Sequence, residues 1–306
     1  MSDLRIWISG SRGFIGNYLV HALKDSCHEL RCITNNKVSG DNLIYIDYSG
    51  KNHIREIINL YGLPNIFIHL GWGSVYEPQS NIHLTSNVSN GKNLIRELFS
   101  CGLEKFIFLG SSSEYGDRKG SLSENMGPKG KLTNYAKGKI EVSSYGFEIA
   151  KQLNKIFINI RLFYAYGAGQ HHKSLINQLY KSYLEKSTIN LSPCEHYRDY
   201  IYISDVINGI RLISNINESA IVNLGSGRAI KLKEYVNLFW KYFGGEADLP
   251  NFGSHPKPHN EPEQPYCYAN LDTLKRLTNW TPSVSLAEGI KETVDALNRS
   301  STSQVF

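Results

Sequence analysis

The heptapeptide Gly10-Ser11-Arg12-Gly13-Phe14-Ile15-Gly16 follows directly on an apolar run, Leu4 to Ser9. It opens a segment in which Ile15, Leu19, Ala22 and Leu23 fall on one helical face. Strand, three-glycine turn and amphipathic helix in that order leave the chain few architectures. Gly10 lets the backbone turn sharply after the strand, Gly13 lets it come close to a bound anion, and Gly16 lets the new helix pack tightly on the sheet. The helix N-terminus, with unpaired amides and a positive dipole end, then favours a dinucleotide pyrophosphate.

Further apolar runs of strand length follow at Leu30–Thr34, Ile44–Ile46, Asn65–Leu70, Lys105–Gly110 and Ile156–Arg161, separated by helix-period segments. Continuous Ile, Phe and Val runs suit strands covered by helices on both faces, so the expected class is α/β, a Rossmann doubly wound parallel sheet. After Arg161 the rhythm changes. A loop at Tyr166–Gln170, a helix at Ser174–Leu184, short strands at Arg198–Ile203 and Ile221–Leu224, and a Pro-, Gly-, His- and Asn-rich stretch from Gly244 to Pro265 precede a terminal helix at Leu286–Leu297. This predicts a dinucleotide-binding Rossmann domain over residues 1–165, with returns near 199–226. A smaller α/β C-terminal substrate lobe is predicted over 166–306.

Charge and cysteine content narrow the function classes. The net charge of +5 is spread along the chain rather than run together, which reads as solubility and not as a nucleic-acid face. No stretch approaches the roughly 20 apolar residues of a spanning helix, so no membrane partner is expected. Five cysteines without a Cys-x-x-Cys pair predict reduced thiols, no metal and a cytoplasmic location.

The end of the second strand selects the dinucleotide. It reads Ile33-Thr34-Asn35-Asn36-Lys37, with no carboxylate before Asp41 to grip the adenosine ribose of NAD. Asn35, Lys37 and Arg12 can instead donate to a 2′-phosphate, which favours NADP(H). NAD(H), served by Asp41 or backbone, is the alternative. Asp47 is placed to accept from the adenine amino group, with a plain turn aspartate as the competing reading. The cofactor set is completed by the turn residues Gly10, Gly13, Phe14, Ile15 and Gly16 and by Leu70 and Gly71 after the fourth strand.

Tyr135 and Lys139 lie four apart on a predicted helix and project from one face. A phenol is a poor acid–base catalyst at its reference pKa near 10. An adjacent ammonium, joined by the positive nicotinamide of an oxidised cofactor, is expected to bring it down. Ser111 sits at a strand's C-terminal end, where open α/β sheets place ligands. Ser111, Tyr135 and Lys139 together form a candidate catalytic set for moving a proton while a nicotinamide moves a hydride.

With these motifs in place, the chain resembles an extended short-chain dehydrogenase/reductase of the NAD-dependent epimerase/dehydratase family. The likeness spans nearly the whole length. It is carried as well by Ile68-His69-Leu70-Gly71, Ser111 to Gly116, Arg161 to Gly167, Arg198 to Val206, and Asn279-Trp280-Thr281-Pro282. Most members act on nucleotide-diphosphate sugars, held by the C-terminal lobe, and the resemblance suggests a homodimer. Sugar 4,6-dehydratases need acidic groups just after the active hydroxyl residue. The matching positions here are Ser112 and Ser113, and an extended segment would point Glu114 away from Ser113. GDP-fucose synthases add a cysteine–histidine pair. Ser113 stands at the cysteine position, and His171 and His172 do not align cleanly with the histidine.

The segment Gly110-Ser111-Ser112-Ser113-Glu114-Tyr115-Gly116 is similar to that of 4-keto-6-deoxy nucleotide-sugar reductases. The resemblance therefore implies NADPH-dependent reduction of a C4 keto group. The alternatives are an NAD-dependent 4-epimerase and a non-catalytic regulatory or RNA-binding relative. Candidates to face the substrate are Trp72, Ser112, Ser113, Tyr164, Arg198 and His259, with Lys257 beside the last. Trp72 reads equally well as a packed core residue. Tyr164 replaces a common asparagine, and His259 stands near a common arginine.

Overall fold

A computed structural model describes residues 4–24, 26–34, 43–46, 53–245, 250–256 and 266–302. Asn35, Lys37, Asp41, Asp47, Lys257 and His259 lie outside these described residues.

The apolar runs pair edge to edge. β1 (Arg5–Ser9), β2 (Glu29–Thr34), β3 (Leu43–Tyr45), β4 (Ile66–His69) and β5 (Lys105–Leu109) are joined by strands Ile156–Leu162 and Ala220–Leu224. Their spatial order is Ala220–Leu224, Ile156–Leu162, β5, β4, β1, β2, β3, and every pairing is parallel. The chain leaves β1 toward β2 and β3, then crosses back to place β4 on the other side of β1. That reversal makes the β1/β4 boundary a topological switch point, open at the C-terminal strand ends.

Alternation along these strands sorts the side chains into two unlike faces. Ile6, Ile8, Ile66, Ile68, Ile107, Ile158 and Ile160 form an aliphatic face, and α1 (Phe14–Leu23) packs there with the helix Ile203–Ile213. Trp7, Phe67, Phe106, Phe108 and Phe157 form an aromatic face under α3 (Ser86–Ser100) and α4 (Asn134–Leu153), with α2 (His53–Tyr61) alongside. Phe67, Phe106 and Phe157 stack across adjacent strands with centroids 5.3 and 5.8 Å apart. Gly146 lets α4 sit on this face, since a Cβ there would meet the Phe157 ring at 2.3 Å.

The aliphatic core runs on without a break into the later part of the chain, through Tyr166, Leu179, Tyr200, Phe239 and Trp240. Two buried aspartates tie this region together. Asp199 accepts from the backbone amides of Ser226, Gly227 and Ala269. Asp205 accepts from the amides of Ser283 and Val284 and from the Ser283 hydroxyl. Each satisfies loop amides that would otherwise be stranded. The helices at Leu175–Leu184 and Leu286–Thr302 and the strand Ala220–Leu224 lie close to their expected positions. The short parallel pairs Gly120–Leu122 with Cys267–Ala269, and Ile189–Leu191 with Pro250–Phe252, have partners more than 60 residues away and no sequence signal of their own.

Candidate active site

The glycine turn closes on itself as its spacing implies. Gly13 N–H donates to the Gly10 carbonyl at 3.0 Å. Gly10 has φ +73°, and a Cβ there would lie 2.6 Å from the Gly71 nitrogen, so the turn after β1 and the loop after β4 touch backbone to backbone. A Cβ on Gly16 would come within 2.1 Å of the Gly10 carbonyl oxygen. Gly16 thus seats the helix against the turn itself rather than against the sheet. Gly13 and Arg12 are exposed, Phe14 and Ile15 form the partly buried first turn of α1, and Leu70 N–H bonds the Ser9 carbonyl at 3.1 Å.

Together these elements bound a cleft of about 520 Å³, lined by Gly10, Arg12, Gly13, Thr34, Gly71 and Trp72 among others. The cradle fits a dinucleotide. It has a turn with glycines at Gly10 and Gly13, a helix N-terminus without acidic residues in its first turn, and the end of β2 at its rim.

The candidate catalytic residues converge near this cleft from two elements. Ser111 follows β5 and caps a 3-10 turn, Ser112–Tyr115. Its hydroxyl accepts from Ser113 N–H at 3.1 Å, while its own N–H donates to Glu114 Oε1 at 2.9 Å. This reciprocal capping box corrects the expectation of an extended segment. Glu114 does point away from any substrate, but because the turn coils it inward. It is 1% exposed, pairs with Arg161 Nε at 3.0 Å and accepts from Asn159 Nδ2 at 3.0 Å. Ser112 is buried in the same turn and Ser113 is half-buried.

Tyr135 and Lys139 project from the first turns of α4, whose N-cap Thr133 accepts from Ala136 N–H at 3.1 Å. The expected acidification of the phenol by the ammonium is not what the chain's own groups produce. Burial pushes the Tyr135 phenol up to about 12, with Glu114 and Tyr164 acting the same way and the hydrogen bond from Ser111 acting against them. Lys139 Nζ instead donates to the Leu109 carbonyl at 2.6 Å and lies 5.7 Å from the Tyr135 ring centroid. Burial brings Lys139 itself down to about 7, partly offset by Glu114. Desolvation is the largest influence on both groups, because burial removes water from each charged form.

Two histidines near this set were not among the candidate site residues: His69 stands in the Ile68–Gly71 motif without an assigned role, and His83 carries no sequence signal beyond its presence. His69, at the end of β4, is buried, and its Nδ1 lies 2.5 Å from Ser9 Oγ. Burial, aided by the Lys139 charge, takes it down to about 3. His83 is fully buried and sits beside both Trp72 and Tyr135. The Gly138 that separates Lys137 from Lys139 was a legible hint of close approach, since glycine inside a helix costs stability unless something touches it.

The substrate candidates divide between two places. Trp72 lines the glycine cleft. Tyr164 and Arg198 line a second cavity of about 270 Å³ with Tyr76, Tyr200 and Tyr235. There the buried Arg198 guanidinium sits 5.3 Å over the Tyr164 ring. No group of three His, Cys, Asp or Glu suited to a metal occurs among the described residues, and no helix among them is long and apolar enough to cross a membrane.

Comparison with known proteins agrees with this architecture. An uncharacterized UDP-glucose epimerase, YtcB, of Bacillus subtilis (strain 168) is 24% identical, aligned over 96% of this chain and 98% of its own. The structure of UDP-glucose 4-epimerase from Thermotoga maritima with UDP-glucose superposes with a TM-score of 0.85 at 21% identity, covering 97% of this chain and 99% of that one. UDP-glucuronic acid 4-epimerase from Bacillus cereus, in complex with UDP-glucuronic acid and NAD, gives 0.81 at 23% identity, with 97% and 99% covered. The family model for the NAD dependent epimerase/dehydratase family matches residues 6–225, and with the glycine cleft and the Ser111, Tyr135 and Lys139 set assembled at one sheet edge, the chain belongs to that family of oxidoreductase-type enzymes.

Proposed function

We propose that the protein reduces the C4 keto group of a 6-deoxy nucleotide-diphosphate sugar at the expense of NADPH. The observation that carries this reading is the side-chain chemistry after β5. The positions where a dehydratase or a dual epimerase needs proton-moving groups hold Ser112 and Ser113, and the nearby carboxylate, Glu114, is locked in a buried pair with Arg161. Tyr135 is then the acid beside the reacting carbon. A bound nicotinamide dinucleotide supplies or accepts the hydride. Ser111 orients the carbonyl, Tyr135 gives its proton to the emerging alkoxide, and Lys139 holds the cofactor ribose. A phenol kept protonated by burial suits the reductive direction, in which the donor must retain its proton until the hydride arrives.

The Tyr164–Arg198 cavity is assigned to the substrate's nucleotide-diphosphate portion, with Arg198 meeting phosphate charge. NADP(H) is proposed over NAD(H) because the sequence after Thr34 offers Asn35 and Lys37 and no carboxylate before Asp41. A homodimer working in the cytoplasm, with residues 166–306 mainly forming the substrate lobe, completes the proposal.

A second reading, an NAD-dependent nucleotide-sugar 4-epimerase, is favoured by the names of the relatives described above and by the NAD in the Bacillus cereus complex. One assay separates the two. Purified protein is offered a panel of 4-keto nucleotide sugars, and absorbance of NADPH and NADH is followed. Stoichiometric loss of reduced cofactor supports the reductase. Interconversion of UDP-sugars without net loss identifies the epimerase.

A further inference from the structure

Trp72 stands on the loop after β4, and its ring is built into the α4 site from three sides. The indole Nε1–H donates to His83 Nδ1 at 3.0 Å, with the two ring planes 10° apart. His83 is 0% exposed, and its Nε2 lies 3.0 Å from the Glu77 carbonyl, which assigns the proton to Nε2 and leaves Nδ1 as an acceptor. Asn87 Nδ2 adds a second donor to Nδ1 at 3.2 Å and also bonds the Gly73 carbonyl at 3.1 Å. Lys139 Nζ lies over the indole, 4.0 Å from a ring centroid. Tyr135 meets both rings edge-on, at 6.2 Å from Trp72 and 5.4 Å from His83. Gly138 makes the approach feasible, because a Cβ there would sit 2.3 Å from the His83 carbonyl oxygen.

We propose that Trp72 and His83 are positioning residues of the catalytic group: His83 pins the indole, and the indole's face fixes where the Lys139 ammonium sits between ring and Leu109 carbonyl. The proposed reaction needs Lys139 at one place relative to the cofactor ribose, and an unbranched four-carbon side chain has no such preference of its own. A cation on an aromatic face that is shielded from water gains attraction without a competing hydrogen-bond geometry. Phe108, 4.8 Å from the same nitrogen, closes a second aromatic wall. Glu114 and His69 act electrostatically with this ammonium, and the Tyr135 ring centroid lies 5.7 Å from it.

The proposal rests on the reading of Lys139 as a catalytic group, and its test has an arm that needs no substrate. Lys139 in the full-length protein is labelled with an amine-reactive ester across pH 6–10, and modification at that residue is quantified by mass spectrometry. At pH 7 the Trp72→Leu variant is expected to label about fivefold faster than wild type, through a lost cation–π contact and a more open amine. Trp72→Phe, which keeps an aromatic face, is expected within about twofold of wild type. His83→Leu should follow Trp72→Leu, and His83→Asn, which restores an acceptor near Nδ1, should move back toward wild type. Thermal melts identify variants that fail to fold, and Trp72→Phe serves if the His83 variants do.

With an active substrate in hand, kcat is expected to fall in Trp72→Leu while KM for the sugar nucleotide stays within about twofold. Unchanged Lys139 labelling in folded Trp72→Leu overturns the proposal. Faster labelling in a protein that turns over no nucleotide sugar supports the positioning role and removes the functional reading instead.

Discussion

Burial moves the two titratable groups on the α4 face in opposite directions, Tyr135 up and Lys139 down, and this has consequences measurable one residue at a time. Tyr135→Phe keeps the ring and its edge contacts and removes the hydroxyl, with its proton and its hydrogen bond to Ser111. Turnover is expected to drop by about a thousandfold or more, while cofactor affinity, read by quenching of protein fluorescence, stays within about threefold. Lys139 carries a stability cost through its burial. Its folded pKa is about 7 against the ordinary 10.5, so the unfolded chain binds the extra proton between those values and stability from this group rises with pH across that window. Lys139→Met is therefore expected to abolish activity yet raise unfolding free energy by about 2–4 kcal/mol at pH 6. That advantage should shrink toward pH 10, and urea denaturation at the two pH values checks both the sign and the trend. Ser111, Tyr135 and Lys139 could be named as candidates from the sequence because of their residue types, their order and the four-residue spacing of the last two. The reversal of the expected phenol acidity could not be read there, since desolvation is a property of the packed surroundings and has no signature in a string.

At the level of elements, α4 serves as both a wall of the core and the carrier of the site, and small residues set how close it comes to its neighbours. Gly146 accommodates Phe157, and Gly91 of α3 would place a Cβ 3.1 Å from Val142. Gly138 accommodates the His83 carbonyl, so Gly138→Ala must push the start of α4 away from the turn at residues 81–83. A loss of about 1–3 kcal/mol is expected from such overpacking, together with a fall in kcat larger than any change in cofactor affinity. Thermal unfolding and steady-state rates on the same preparation check it. The strand–turn–helix unit at β1 and α1 could be placed from sequence because every local preference agrees there. The 3-10 turn at Ser112–Tyr115 could not, because its coil depends on Glu114 finding Arg161 and Asn159 from a strand about 45 residues later. The same limit applies to the short parallel pairs of the C-terminal region, whose few residues acquire strand geometry only from remote partners.

Across the whole molecule, the crossing of the chain between β1 and β4 creates the cleft, and it also buries His69 at the sheet's carboxyl edge. His69 is held near 3 against an ordinary 6.5, so it stays neutral in the fold while the unfolded chain protonates as pH falls below about 6.5. Stability from this group is present above that value and is lost progressively down to about 3. Between pH 7 and pH 4.5 wild type is expected to lose about 2–3 kcal/mol through His69, and His69→Gln should lose correspondingly less across the same range. Urea midpoints at pH 7, 5.5 and 4.5 measure the difference.

Composition, periodicity and spacing by themselves indicated the α/β class, the parallel sheet, the glycine turn and three candidate catalytic side chains. Each of these follows from short-range rules: apolar runs that must be covered on both faces, glycines where a Cβ cannot fit, and a four-residue helical spacing. Tertiary structure alone decided the rest. It made one sheet face aliphatic and the other aromatic, turned Glu114 into a buried partner of Arg161, and brought Trp72 and His83 onto Lys139. Those outcomes depend on which distant segments exclude water together, and a linear chain does not display that until it closes on itself.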